Sequence, residues 1–197
     1  MSIMIILDVI QYSLSSPKRV IKNLLEVKHK LKISFSLLLF FSLGKQSVIS
    51  AALTYLLYIF IPLNMISLIK NWFLLVFYII DVIGVTLIGL ITYSLVKIMK
   101  GAGSLKDTMY IIYLGNIPFT LPVLVSMFFV VLLKVVGLTT VVLGLIAGLI
   151  WYLHFTSGSL SIIHNISKWK IAVSILLASV IICVLYLAVI MPLLWGL

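Results

Sequence analysis

The sequence is poor in charged residues, above all in acids. Only 9% of its 197 residues are charged, and four Asp and Glu stand against 14 Lys and Arg, for a net charge of +10. Soluble domains carry roughly 25% charged residues, so this chain lacks the polar surface that a water-soluble protein needs. We expect its positive charge to meet anionic membrane lipid rather than nucleic acid.

Cysteine and clusters of metal ligands are scarce as well. The single cysteine, Cys183, excludes an internal disulfide. The three histidines, His29, His154 and His164, have no cysteines or acids at the tight spacings of a zinc site. We therefore predict that the chain binds no metal and no cofactor.

Motifs of the common enzyme classes are missing too. The polar segment GAGSLKDTMYIIYLGNIPF, residues 101–119, does not contain the G-x-x-x-x-G-K-S/T phosphate loop. The chain has neither H-E-x-x-H nor G-x-S-x-G, and its few polar residues do not pair a nucleophile with a base. The sequence therefore predicts a protein that is not an enzyme.

Long apolar runs dominate what is present. Apolar residues make up 64% of the chain, and the mean hydropathy is +1.36. The stretches long enough to cross roughly 30 Å of hydrocarbon as helices are 48–69, 72–98, 109–133, 138–157 and 171–194. We predict an all-α, polytopic membrane helix bundle with five transmembrane helices. The shorter stretch 31–43 suits an interfacial or half-inserted helix, which divides the chain into an N-terminal segment, 1–47, and a transmembrane domain, 48–197.

The distribution of basic residues predicts how this bundle is oriented. Five spans leave only Lys70 and Lys134 on one side of the membrane. The twelve basic residues on the other side are Lys18, Arg19, Lys22, Lys28, Lys30, Lys32, Lys45, Lys97, Lys100, Lys106, Lys168 and Lys170. A sixth span at 31–43 would make the division eight against six. Because basic loops stay in the cytoplasm, we predict five spans, a cytoplasmic N-terminus and a C-terminus outside.

The N-terminal segment contains an amphipathic helix that begins near Pro17. Ser16 can cap this helix, and proline fits its first position. Apolar residues follow at helical spacing, while Lys22, Glu26 and Lys30 lie four apart on the opposite face. We expect this helix to lie in the membrane interface; the alternative is a connector packed beneath the bundle.

Asp81 lies inside the second predicted span, near the middle of the membrane. An acid at that depth is unfavourable by about 2.5–3.5 kcal/mol on insertion scales. It is either a hydrogen-bonded carboxyl that joins helices or a proton or ion site. We find no basic partner at matching depth, only neutral candidates such as Asn64 and Asn116, so the structural role is favoured.

Small residues and prolines mark the third and fourth predicted spans. Gly144 and Gly148 form a G-x-x-x-G that lets helices approach closely. This packing lies either within the fold, which we expect, or in a dimer. Pro118 and Pro122 interrupt the third span and free backbone carbonyls, which Asn116 lies close enough to help satisfy.

The turn after the second span contains several signals of a helix boundary. Gly101 and Gly103 permit the turn. Ser104 can cap the next helix, and Asp107 lies in its first turn, where a negative charge suits the helix dipole.

These features in this order resemble the Yip (Ypt-interacting protein) domain family. A glycine turn with a serine and a basic residue precedes an aromatic-rich helix that contains a small residue and a proline. Pro17, in its basic amphipathic segment, also fits. The later residues that carry the resemblance are Trp151, Gly158, His164, Ser167, Lys168, Lys170, Ile171 and Ala172. The resemblance extends over nearly the whole chain.

The resemblance implies five membrane helices, a cytoplasmic N-terminus and a role in membrane organisation, with no catalytic residues. Eukaryotic members act in vesicle traffic and bind prenylated Rab-type GTPases. This chain has a shorter N-terminal segment than those members and looks more like prokaryotic, especially archaeal, members. A prokaryotic member would lie in the cell membrane.

We therefore expect a protein that organises anionic lipid or recruits a protein partner at the cytoplasmic face of the membrane. The residues predicted to form a patch on that face are Gly101, Gly103, Ser104, Lys106, His164, Lys168 and Lys170. The alternative is a small transporter or channel that uses Asp81, Asn116 and the proline-broken third span.

Overall fold

A computed structural model describes residues 2–11, 17–57, 63–133 and 137–195. Within these ranges the chain is helical, apart from short turns, and contains no strand. The helices are α1 (Ser2–Gln11), α2 (Pro17–Leu25), α3 (Lys30–Leu57), α4 (Leu63–Ile98), α5 (Leu105–Leu133), α6 (Gly137–His164) and α7 (Lys168–Trp195).

Five of the helices are long and apolar enough to cross a membrane. The spans within them are Lys30–Ser50, Leu74–Ile98, Leu105–Ser126, Thr139–His164 and Lys168–Ala188. The predicted fold class, an all-helical bundle with five transmembrane helices, is confirmed. The chain is a multi-pass integral membrane protein.

The first span differs from the prediction. Stretch 31–43 is not a separate short helix but the first half of α3, so the predicted border between residues 47 and 48 falls inside a helix. The polar residues 44–47 do not end α3 because they contain no proline, and the side chains of Lys45 and Gln46 are buried within the bundle. Moving Lys45 into the span leaves eleven basic residues against two, so the predicted orientation is unaffected.

The predicted connections on the opposite side are also displaced. Lys70 and Asn71, expected to link the first two spans, lie within α4. The link between α3 and α4 falls in 58–62, and the link between α5 and α6 falls in 134–136, both outside the described residues. The side chain of Asn64 is likewise not described.

Helix α5 lies at the centre of the bundle. In an 18-residue window of its span 72% of the residues are buried, against 11% in the corresponding window of α4. Gly144 and Gly148 of α6 lie directly against α5: a methyl group on Gly144 would come within 2.9 Å of the Pro122 carbonyl oxygen, and one on Gly148 would clash with that of Phe119. Because glycine has no side chain, these two positions of α6 let its backbone approach that of α5 closely.

The two prolines do not break α5. The helix continues through Pro118 and Pro122, so the broken third span that the transporter alternative needs is absent here. The amide of Asn116 reaches across to α3 instead of bonding to α5: its Nδ2 donates to Ser42 Oγ at 3.0 Å. Each proline lacks the backbone N–H that would donate within the helix. Packing against neighbouring helices allows α5 to continue without these two hydrogen bonds.

The amphipathic character of α2 is confirmed, and its apolar face is covered by protein. Val20, Ile21 and Leu24 are buried in one core cluster with Ile5 of α1 and Tyr110 of α5. The opposite face, which carries Lys22, is exposed. Helices α1 and α2 therefore pack beneath the bundle at one end, which is the connector placement, with the basic face of α2 turned outwards.

Candidate functional site

Two turns lie at the same end of the bundle: 99–104, between α4 and α5, and 165–167, between α6 and α7. We call this the basic end. Helix α4 ends with Lys100 in the left-handed region (φ 63), and Gly101 N–H donates to the Val96 carbonyl at 3.0 Å. Helix α6 ends in the same way at Asn165 (φ 54). Both ends are Schellman-type caps, which satisfy the last carbonyls of the helix.

The glycines of the first turn are required for close packing rather than for backbone conformation. No glycine in the described ranges has a positive φ, so the predicted role of Gly101 and Gly103 in making the turn is wrong. A Cβ on either would lie 2.9 Å from His164 Nδ1. The turn is joined to α6 by Ala102 N–H, which donates to the His164 carbonyl at 3.1 Å. Only glycine allows this approach.

His164 is an interior residue, with 1% of its surface exposed. Its Nε2 lies 2.8 Å from Thr108 Oγ1. The threonine hydroxyl donates its hydrogen to the Ser104 carbonyl at 3.0 Å, so His164 Nε2 must be the donor and Nδ1 carries the lone pair. Nδ1 has no hydrogen-bond partner among the described residues. His164 therefore joins α6 to the first turn of α5.

The first turn of α5 is capped as predicted. Asp107 N–H donates to Ser104 Oγ at 3.1 Å, and the serine hydroxyl donates to Asp107 Oδ2 at 2.7 Å. The other carboxylate oxygen forms an ion pair with Lys30 at the start of α3. Lys30 also donates to the Leu25 carbonyl at 3.3 Å. One lysine thus links the end of α2 to the starts of α3 and α5.

The remaining residues of the predicted patch are exposed lysines. Lys106, Lys168 and Lys170 all lie at the basic end, on its surface. Lys168 Nζ lies 3.0 Å from Nδ1 of His154. The structure thus brings the two glycines, Ser104 and His164 together in one junction at the basic end, where His164 is buried and Ser104 is exposed, and leaves the three lysines outside it.

Lys170 borders an apolar groove of about 400 Å³ between the end of α4 and the start of α7. The residues that line it are Leu95, Ile98, Met99, Trp169, Lys170, Val173, Ser174 and Leu177. Ile98 and Trp169 are strongly exposed there. The groove therefore offers apolar contact beside a positive charge at the edge of the membrane spans.

A second polar cluster lies inside the membrane spans. Lys45 Nζ of α3 is 2.6 Å from Asp81 Oδ1 of α4 and 3.4 Å from Asn116 Oδ1 of α5. The Asn116 amide donates back to α3, to Ser42 Oγ and to the Leu38 carbonyl at 3.4 Å. We call Lys45, Asp81 and Asn116 the buried triad. It joins three helices.

The expectation that Asp81 lacks a basic partner is wrong, because Lys45 lies inside the first span and forms an ion pair with it. The lysine side chain is 5% exposed and that of the aspartate 16%. Lys45 Nζ also lies 4.8 Å from the centre of the Phe119 ring, a cation–π distance. Asp81 Oδ2 is buried and has no partner in the described part of the chain.

No three histidine, cysteine or acidic side chains come together as a metal site among the described residues. Residues 12–190 match the family model of the Yip1 domain. The chain belongs to the Yip1 domain family. No match was found among curated proteins or among solved structures. The matched region of this Yip1-domain protein contains both the junction at the basic end and the buried triad.

Proposed function

We propose that this Yip1-domain protein is a non-enzymatic organiser of the membrane that holds anionic lipid at the cytoplasmic leaflet through its basic end. The observation that carries the proposal is the apolar groove bordered by Trp169 and Lys170. It could take an acyl chain while the lysine meets a phosphate. Tryptophan and lysine are the residues that anchor proteins at the membrane–water boundary.

The charge of the whole basic end supports the same ligand. The face of α2 that carries Lys22 is exposed, and so are Lys100, Lys106 and Lys168. Each basic residue near an anionic surface contributes about 1 kcal/mol of attraction. By the charge count, the opposite side has only Lys70 and Lys134. Anionic lipid is therefore attracted mainly to the basic end.

The junction at the basic end gives this surface a fixed shape. Lys30, Asp107 and His164 tie α3, α5 and α6 together; His164 is buried, and the Lys30–Asp107 pair is partly exposed. A protein partner at the same face would meet the exposed lysines and the outer side of α2. The transport alternative has less support because α5 is continuous and Asp81 is held by Lys45.

Native mass spectrometry of the purified chain tests the proposal. We expect phosphatidylglycerol to be retained in preference to phosphatidylcholine, and the double substitution Lys168→Gln, Lys170→Gln to reduce that preference several-fold. Lys134→Gln, on the other side by the charge count, is the matched control and should leave it unchanged. Equal retention of the two lipids by the unsubstituted chain would contradict the proposal.

A further inference from the structure

A small cavity opens beside the buried triad. Its volume is about 170 Å³, and all five membrane-spanning helices contribute to its wall. The residues that line it are Lys45, Asp81, Val85, Ile88, Asn116, Phe119, Leu149, Tyr152 and Ser179. This is a mostly apolar wall with the polar atoms of the triad set into it, as in small-molecule sites of other proteins.

The cavity lies well inside the membrane. Lys45 is fifteen residues from the start of its span and Asn116 is eleven from the start of its own, which places them roughly 22 Å and 16 Å from the basic end at 1.5 Å per residue. Since the hydrocarbon core is about 30 Å thick, both lie within it.

The cavity is reached from lipid. Leu149 lines it and is also 46% exposed on the outer surface of the bundle. Its neighbours Ile146 and Ile150 are exposed on α6 as well. At this depth the surroundings of an exposed apolar helix are acyl chains. A ligand that enters beside Leu149 must therefore dissolve in the bilayer.

The triad offers no net attraction to an ion of either sign. Lys45 and Asp81, 2.6 Å apart, carry opposite charges and together are neutral, so they supply no net charge to offset the desolvation of an ion, which is costly in a medium of low dielectric. An uncharged ligand avoids that cost.

The triad also has hydrogen-bonding capacity left over. Lys45 Nζ carries three N–H donors and has contacts to Asp81 and Asn116, which leaves one. Asp81 Oδ2 is an acceptor with no partner in the described ranges. A buried polar atom without a partner is unfavourable by about 1–3 kcal/mol. A hydroxyl group, which donates and accepts at once, would complement both.

The geometry points to a binding site for a neutral, hydroxyl-bearing amphiphile dissolved in the bilayer, of the class of long-chain alcohols and diacylglycerols. The hydroxyl donates to Asp81 Oδ2 and accepts from Lys45. A cavity of roughly 150 Å³ is large enough for benzene, so this one takes the head of such a molecule, and its tail leaves beside Leu149 into the lipid.

Photolabelling tests the site in the full chain, reconstituted in phosphatidylcholine nanodiscs. The probe is octanol that carries a diazirine, and its adducts are mapped by peptide mass spectrometry. We expect saturable labelling of residues around the cavity, such as Phe119 and Tyr152. An excess of octanol should compete for the site, whereas octane, which lacks the hydroxyl, and octanoate, which is charged, should not.

Two variants separate recognition by the triad from general affinity for an apolar surface. The double substitution Lys45→Met, Asp81→Leu removes both charges together and should reduce labelling at least tenfold. Leu149→Trp narrows the entrance, leaves the triad intact and should also reduce labelling, so the test does not depend on folding of the double variant. Lys170→Gln, in the separate groove, should have no effect.

Three results would overturn the site. Labelling that does not saturate and spreads over the lipid-facing helices would mean that the probe only dissolves in the bilayer. Equal competition by octane would mean a purely apolar cavity. Unchanged labelling in both Leu149→Trp and the double variant would mean that the probe reaches these residues without binding in the cavity. None of these results bears on lipid binding at the basic end.

Discussion

The junction at the basic end and the buried triad both tie three helices together with polar side chains, but they do so by different means. At the junction, Ser104, Asp107 and Thr108 bond within one helical turn, and His164 and Lys30 extend this local unit to α6 and α3. In the triad every side-chain bond joins residues that are distant in sequence. The junction is an elaborated helix cap, whereas the triad exists only once the bundle has assembled.

The two regions therefore differ in what a single substitution should do. Loss of one bond at the junction leaves a cap that water can partly repair. Loss of one charge in the triad leaves the other charge buried in hydrocarbon.

The largest effect is expected from Asp81→Leu. Breaking a buried ion pair by removing one partner destabilises a protein by about 3–5 kcal/mol, while replacing both partners by apolar groups is often neutral or stabilising. We expect Asp81→Leu alone to lower the thermal stability of the purified chain sharply, and the added Lys45→Met to restore most of it.

A double variant whose loss equals the sum of the two single losses would contradict this coupling. In that case the interaction between Lys45 and Asp81, 2.6 Å apart, would add nothing to the stability that each side chain contributes alone.

The next effect in size concerns the contact of α6 with α5. Gly148→Ala places a methyl group against the Phe119 carbonyl, and overpacking of this kind costs about 1–3 kcal/mol. The matched control is Gly44→Ala in α3, where the nearest atom to an added methyl group lies at an ordinary 3.7 Å.

Because alanine favours a helix over glycine, Gly44→Ala should leave the melting temperature unchanged or raise it, while Gly148→Ala lowers it. Equal shifts in the two variants would show that α5 and α6 are not in close contact at this position.

Thr108→Val tests the junction at the basic end. The change keeps the side-chain shape but removes the acceptor of the His164 Nε2 proton, and a buried donor without a partner costs about 1–3 kcal/mol. We expect faster amide hydrogen exchange at Ala102 and in the first turn of α5. Thr140→Val in α6 is a comparison at the other end of the bundle and should leave exchange at Ala102 unaltered. If exchange at Ala102 stays slow in Thr108→Val, His164 does not hold the turn.

The smallest effect is expected from Lys30→Gln. Its ion pair with Asp107 is partly exposed, and such pairs contribute about 0.2–1 kcal/mol and weaken with salt. The loss of stability should be measurable in low salt and should shrink in high salt. A loss that is independent of salt would assign the role of Lys30 to its bond with the Leu25 carbonyl.

The features that could be predicted from the sequence are those encoded locally. Four of the spans are continuous apolar stretches, and Ser104 with Asp107 is a cap within four residues. The glycines show the limit of local reasoning. A residue in the left-handed conformation is required after α4, and Lys100 rather than a glycine adopts it. Gly101 and Gly103 are required for another reason, the close approach of the distant His164.

The triad could not be predicted because its signal is nonlocal. A lysine at the edge of an apolar stretch ordinarily marks the end of a span, so local reasoning assigns Lys45 to the loop before the first span. Lys45 is tolerated inside α3 because it forms an ion pair with Asp81, 36 residues later. An isolated acid in one span does indicate that a base should be sought in another, and Lys45 lies between the apolar stretches 31–43 and 48–69.

The central claim is that the basic end lies at the cytoplasmic leaflet, and cysteine accessibility tests it most directly. In a Cys183→Ser background, Ala102→Cys places a thiol on the exposed turn at that end. We predict that a membrane-impermeant maleimide labels it in inverted membrane vesicles and leaves it unlabelled in intact cells. Labelling in intact cells would place the basic end outside and contradict the account.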